Sequence, residues 1–248
     1  MFRTVHLMKR RHGMTPEAFR AYYETRHAVL GKAAADGYAL SYERFYLHPL
    51  NDGDPEPIYD VVMMLCFPDR ATFETCTGRV ANDPEQSEMF YQDELQLFDR
   101  DSVVVALGDD VSSSLPPVAP CDEPFRTIWF GRHRPDQTVE QCRSYYETKH
   151  RLLGEYIMGG YAYNYDRHYL LPLMPSAPEP DFTFIMEMNF PSRARYDEMA
   201  ASIGADPALC QLLNEDEARY LDQSRMYRYR AERCASSMPP LIEAIAAE

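Results

Sequence analysis

The sequence predicts an α+β fold built from one unit written twice, and three observations lead there. A stretch beginning at Phe2 reappears from Phe125. The hydrophobic period switches in the same order in both copies. The composition, 45% hydrophobic and 26% charged over 248 residues, is that of a globular chain long enough to bury a core unaided.

The repeat is the strongest of the three. FRTVHLMKRRHGMTPEAFRAYYETRHAVLG aligns with FRTIWFGRHRPDQTVEQCRSYYETKHRLLG, and GYALSYERFYLHPL with GYAYNYDRHYLLPL, without a gap. Nearly half of the first fifty aligned positions are identical, and the register persists at Pro68 and Pro191, Asp83 and Asp206, and Asp93 and Asp216. The boundaries read as a first repeat over 1–107, a Ser/Pro/Asp-rich linker over 108–124, a second repeat over 125–230 and a tail over 231–248. The end of the tail has the pattern of a short amphipathic helix.

Within the first repeat, RTVHLMK alternates as a strand. Thr15-Pro16 is a helix start, with a capping hydroxyl followed by a proline whose missing N–H costs nothing there, and the helix extends to about Ala35. Gly37–Leu47 alternates aromatic residues as a second strand, residues 49–57 form a loop, and Ile58–Phe67 is a third strand. Pro68-Asp69 opens a further helix, a polar helical stretch covers Asp83 to Phe98, and Ser102–Leu107 is the last strand. Strand, helix, strand, strand, helix, strand is the ferredoxin-like order, and two such units can close an intrachain barrel.

Charge and cysteines narrow the class. Twenty-five Lys and Arg against 39 Asp and Glu leave a net charge of −14, unsuited to nucleic acid or an anionic membrane. The N-terminal residues lack a signal-peptide core, and no apolar run is long enough to span a bilayer. Six scattered cysteines without a CxxC pair fit free thiols in a reducing, cytoplasmic setting. No nucleotide, Ser-hydrolase or metal-ligand motif is present, so no cofactor and no metal are expected.

The chemistry-bearing residues lie at matched positions. One face of the second strand carries Tyr42, Arg44 and Tyr46, matched by Tyr165, Arg167 and Tyr169. Buried hydroxyls and guanidinium groups need partners, so this row suits either the wall of a partly wet aromatic cavity or a tyrosine-rich interface between the halves. Tyr23 and His27, like Tyr146 and His150, are four residues apart on one helix face, and imidazole suits proton transfer near neutral pH. In the third strand of the second repeat an apolar face should meet the helices. Glu187 stands on the opposite face, where it could act as an acid or base or pair with an arginine. His6, His12, His48, His133 and His168 have no matched histidine and could make one pocket differ from the other.

The segments YYETRHAVL, the tyrosine-rich strand and DELQLFD, repeated as YYETKHRLL and DEARYLD, resemble the EthD-like family. The resemblance implies a dimeric α+β barrel fold, here built within one chain, and cofactor-free lyase chemistry on aromatic or polyketide-type compounds. The expectation is a decarboxylase or dehydratase of a small phenolic carboxylic acid. Arg44 or Arg167 would hold the carboxylate or phenolate, and the tyrosines would orient the ring. His27 or His150, with Glu187, would move the proton. A cofactor-free monooxygenase or lactone isomerase, and a non-catalytic aromatic-binding protein, remain open alternatives, as does a homodimer.

Overall fold

The computed structural model describes residues 1–241 apart from 120 and 122. The expected helix at the end of the tail falls in 242–248 and lies outside the described residues. In the first repeat, β1 (Phe2–Met8) leads through a capped turn into α1 (Pro16–Tyr22), where the Thr15 hydroxyl accepts from the Ala18 N–H. A π-turn over Tyr23–His27 follows, then α2 (Ala28–Ala35), β2 (Ser41–Pro49) and β3 (Val61–Phe67). α3 (Arg70–Ala81) and α4 (Pro84–Leu97) are capped by the Asp69 and Asp83 carboxylates, and β4 (Val104–Ser112) ends the unit.

The second repeat has the same order. It comprises β5 (Phe125–Gly131), α5 (Val139–Tyr145), a π-turn over Tyr146–His150 and α6 (Arg151–Met158). Then come β6 (Asn164–Pro172), β7 (Phe184–Phe190), α7 (Arg193–Gly204), α8 (Pro207–Glu217) and β8 (Tyr227–Ser236).

The eight strands form one closed antiparallel barrel in the order β1-β3-β2-β8-β5-β7-β6-β4. Each repeat contributes four neighbouring strands, and the seams are β2 with β8 and β4 with β6. These seams explain why β4 and β8 run past the expected repeat ends, to Ser112 and Ser236: the extra residues find partners across the seam, Ser112 opposite Asp166 and Ser236 opposite Tyr42. Closure leaves no sheet edge exposed. β2 begins later than the aromatic alternation suggests. Gly37, at φ +80°, and the bonds from the Tyr38 and Ala39 N–H groups to the Ala35 carbonyl hold those residues in the helix-ending turn.

The barrel interior is apolar for most of its length, filled from both repeats by Val5, Phe45, Val62, Phe130, Leu170 and Ile185. Helices cover the outside. Because successive side chains alternate across a strand, placing Phe45 and Leu47 inside puts Tyr42, Arg44 and Tyr46 outside, beneath the helices. The tyrosine-arginine row therefore lies outside the barrel interior, under the helices and along the seam strand β2.

Candidate functional site

The two π-turns anchor the most organised polar groups in the molecule. A π-turn widens a helix by one residue and is concentrated at functional positions. Here each copy places it over Tyr-Glu-Thr-basic-His, where the Ala28 N–H reaches back to the Tyr23 carbonyl. His27 Nδ1 lies 2.7 Å from Asp93 Oδ2 on α4, and Asp93 Oδ1 accepts from the Tyr22 hydroxyl at 3.0 Å. The second repeat reproduces the arrangement: His150 Nδ1 to Asp216 Oδ2 is 2.7 Å, and the Tyr145 hydroxyl to Asp216 Oδ1 is 2.7 Å. Such a carboxylate fixes the imidazole's orientation and tautomer and stabilises its protonated form. Burial opposes ionisation of Asp93, but its bonds to His27 and Tyr22 outweigh it and hold the carboxyl below its ordinary range. At His150 burial dominates and pushes the imidazole down, although Asp216 opposes.

The row of β2 is held from the same turn. Arg44, 3% exposed, receives Glu24 bidentately, with Nε to Oε1 at 3.0 Å and Nη2 to Oε2 at 2.6 Å. Its Nη1 reaches the Ser236 hydroxyl at 2.7 Å, and the Tyr46 hydroxyl donates to Glu24 at 2.6 Å. Arg167, Glu147, Ser113 and Tyr169 repeat this set in the second copy. Both guanidinium forks are thus filled by the protein's own carboxylates, which leaves neither free to take a substrate carboxylate as expected.

The copies diverge in the space between helices and sheet. In the first repeat a cavity of about 790 Å³ lies there, lined by His27, His6, Tyr42, Phe73, Phe90 and Phe98 among others, a size and character suited to a small flat ligand. With Nδ1 held by Asp93, the other nitrogen of His27 is the one available to a ligand. His6 also exposes its ring to this space, and burial together with the nearby His27 lowers it to about 4, so it is neutral near pH 7. Burial raises the Tyr42 phenol to about 12, which keeps it a hydrogen-bond donor. Gly31 makes room for that phenol, since a Cβ there would stand 2.9 Å from the Tyr42 hydroxyl.

Three small residues on the first cavity's wall, Ala34, Ala35 and Cys76, are matched in the second repeat by Ile157, Met158 and Met199. These larger side chains pack with Tyr146, Tyr165 and Tyr220 into one buried cluster. Tyr220, where the first copy has Leu97, lies against the His150 ring at 4.9 Å between centroids. The hydroxyls of Tyr146 and Tyr165 bond to each other, and Tyr146 reaches the Met186 sulfur at 2.6 Å.

Of the expected site residues, the structure brings together His27 and Tyr42 at the cavity wall. Tyr23 is fully buried edge-on to His27 at 4.9 Å and to Tyr46, and it supports the wall without lining it. Glu187 is not with either matched histidine. Met186 and Met188 face the helices, so Glu187 faces the barrel interior, near its end, beside His168. The sequence reading passed over Glu24, Glu147, Asp93 and Asp216 as functional groups. Their signal was present: each is an acidic residue kept at the same offset in both copies.

A closed barrel of eight strands, with a histidine-carboxylate pair under each helix layer, defines a duplicated α+β barrel with a wide helix-over-sheet pocket in the first repeat. The EthD domain model matches residues 11–101 and again 134–224, and the chain belongs to that family. Among solved structures, an anthrone oxidase-like protein aligns over 100% of this chain and 96% of its own, with 10% identity and a TM-score of 0.57. A proposed monooxygenase from Fusobacterium nucleatum aligns over 97% and 95%, with 10% identity and a TM-score of 0.54. At these identities the likeness is one of fold. None of the curated proteins matches the sequence. All six cysteines are free, and no described helix is long and apolar enough to cross a membrane.

Proposed function

We propose that the chain is a cofactor-independent lyase whose working pocket is in the first repeat, acting on a small hydroxylated aromatic or polyketide-type compound. One observation carries this reading: a buried histidine, oriented by a carboxylate, at the wall of an aromatic cavity that has a tightly packed counterpart in the second repeat. Dehydration suits the pocket better than decarboxylation. With Arg44 committed to Glu24, the cavity lacks a buried guanidinium to hold a carboxylate, and Arg100 at its edge is already 3.3 Å from Glu94.

In a dehydration, the free nitrogen of His27 takes the proton from the carbon beside a ring-conjugated carbonyl while Asp93 stabilises the imidazolium. The Tyr42 hydroxyl donates to the developing enolate oxygen. The C–O bond to the neighbouring hydroxyl then breaks, the imidazolium returns its proton to the leaving oxygen, and water departs as the C=C bond forms. His150 and Asp216, beside Tyr220, tie the second repeat's π-turn to α8.

The strand order β4-β1-β3-β2 supports a ferredoxin-like reading of each repeat, with 108–124 as connector and 231–248 as tail. The free thiols support a reducing, cytoplasmic setting. The test is incubation of the purified protein with a panel of hydroxylated aromatic and polyketide-type compounds, followed by mass spectrometry. Loss of the mass of water, abolished in His27→Ala and retained in His150→Ala, is expected. Oxygen uptake with gain of oxygen in the product would replace the lyase by an oxygenase, and tight binding with no turnover would replace it by a binding protein.

A further inference from the structure

A second cavity, separate from the His27 pocket, lies at the barrel itself. At one end of the interior a cavity of about 610 Å³ is lined from both repeats. Matched residues meet there, Arg3 with Arg126 and Glu43 with Asp166, so this end lies where the two halves face each other about their approximate symmetry. The match then breaks in one direction. His168, Glu187 and Asn189 stand where the first repeat has Phe45, Met64 and Cys66. The apolar set shows what the fold accepts at these positions, and the polar set is the costlier one to bury.

These polar groups are only partly satisfied. His168 is 5% exposed. Its Nδ1 is held 2.7 Å from Asp110 Oδ1, while its Nε2 is buried with no hydrogen-bond partner and lies 4.0 Å from Glu187 Oε2. Asn189 donates to Glu187 Oε1 at 3.0 Å, which leaves its own Oδ1 buried and unpartnered. Arg126 Nε is likewise without a partner. Arg3 has Asp110 at 2.5 Å, but among the described residues Arg126 has no carboxylate within salt-bridge distance. Among the described residues the cavity therefore holds a guanidinium with no ion-pair partner in contact, although Glu43 and Glu187 lie near it, and two orphaned acceptors a strand or so away. Each orphan is costly to bury unless something supplies its complement.

We propose that this barrel-end cavity is a second ligand site, for a small organic acid that also carries hydroxyl groups. The carboxylate pairs with Arg126, and a hydroxyl donates to His168 Nε2 or Asn189 Oδ1 while accepting from its neighbours. Asp110 acts as a positioning residue, since its bond to Nδ1 keeps Nε2 turned to the ligand. Burial also pushes the Glu187 carboxyl up.

Isothermal titration calorimetry of the full chain tests this with three probes: L-tartrate, succinate (the same diacid without hydroxyls) and glycerol (hydroxyls without acid). Saturable tartrate binding is expected, with succinate at least tenfold weaker and glycerol silent. Arg126→Gln is expected to abolish tartrate binding. His168→Phe, which installs the side chain of the first repeat, is expected to bring tartrate and succinate to equal affinity while raising thermal stability. His168→Gln serves as the second variant should the phenylalanine perturb folding, and far-UV circular dichroism verifies each fold. Absence of tartrate binding to the native chain, equal binding of tartrate and succinate, or tartrate binding that survives Arg126→Gln would overturn the proposal. None of these results depends on turnover at His27.

Discussion

Replacing Glu24 by Gln tests whether Arg44 is a structural cation or a substrate-binding one. The Arg44 side chain is 3% exposed and its partner 27%. Removing one charge of a buried pair costs about 3–5 kcal/mol because the other is left uncompensated. The partial exposure of Glu24 admits water and brings this case below that range, to about 2–3 kcal/mol. For a chain of this size that lowers Tm by about 4–12 °C. The double variant Glu24→Leu, Arg44→Met removes both charges together and is expected to return to within about 1 kcal/mol of the native chain. It should also keep turnover, since Arg44 lies behind the cavity wall. Calorimetric melting at pH 7, paired with the substrate assay, reads both outcomes. The acid limb supplies a further check. Burial tends to raise the Glu24 carboxyl, but its bonds to Arg44 and Tyr46 outweigh this and hold it below the ordinary 4.5. Its contribution is therefore complete above that value and lost as pH falls through the folded one, so Glu24→Gln should flatten the acid loss of Tm. A single variant as stable as the native chain, or a folded double variant without turnover, would refute the reasoning.

The remaining expectations concern the pocket and its orientation. Asp93→Asn should lower kcat about 10²-fold or more, as removal of an oriented base does, whereas Asp216→Asn should leave kcat within about twofold and lower Tm; steady-state kinetics and melting separate the two. Ala34→Ile, Ala35→Met and Cys76→Met together copy the second repeat and should abolish ligand binding in the first pocket without lowering Tm, as read by titration with the identified substrate. His6 is lowered by burial to about 4 from 6.5. The unfolded chain thus binds a proton that the folded chain refuses between those values, and stability falls as pH drops through that window by at most about 1.4 kcal/mol per unit. His6→Asn should remove that slope in denaturant titrations. Gly31→Ala should displace the Tyr42 phenol and lower kcat about tenfold or more, as steady-state kinetics reads.

Much of the fold was legible before any coordinates. Thr15 marked a helix start because its side-chain oxygen ahead of a proline can satisfy an orphaned N–H. The repeat offset paired His27 with His150 and the tyrosine rows with each other. The π-turns were not legible, since a helix that widens by one residue keeps nearly the same apolar pattern. Nor were the partners of the histidines, because Asp93 is 66 positions from His27 and only the packing of α4 on the π-turn brings them together.

Alternation along β2 and β7 divided each strand into two faces, and that division was correct as chemistry. The sequence alone thus determined the duplicated unit, the alternation of its strands and the side chains sharing a face. Which face turned inward was decided by closure. In a barrel made by both repeats the interior takes the set that packs without partners, so Phe45 and Leu47 went in and the Tyr42–Arg44–Tyr46 row went under the helices, where Glu24 could meet it. The same closure carried Glu187 away from the histidines to the barrel end. The choice between two equivalent pockets also waited on the third dimension. Ala34, Ala35 and Cys76 are unremarkable as letters, and only their convergence on one space leaves room there for a ligand.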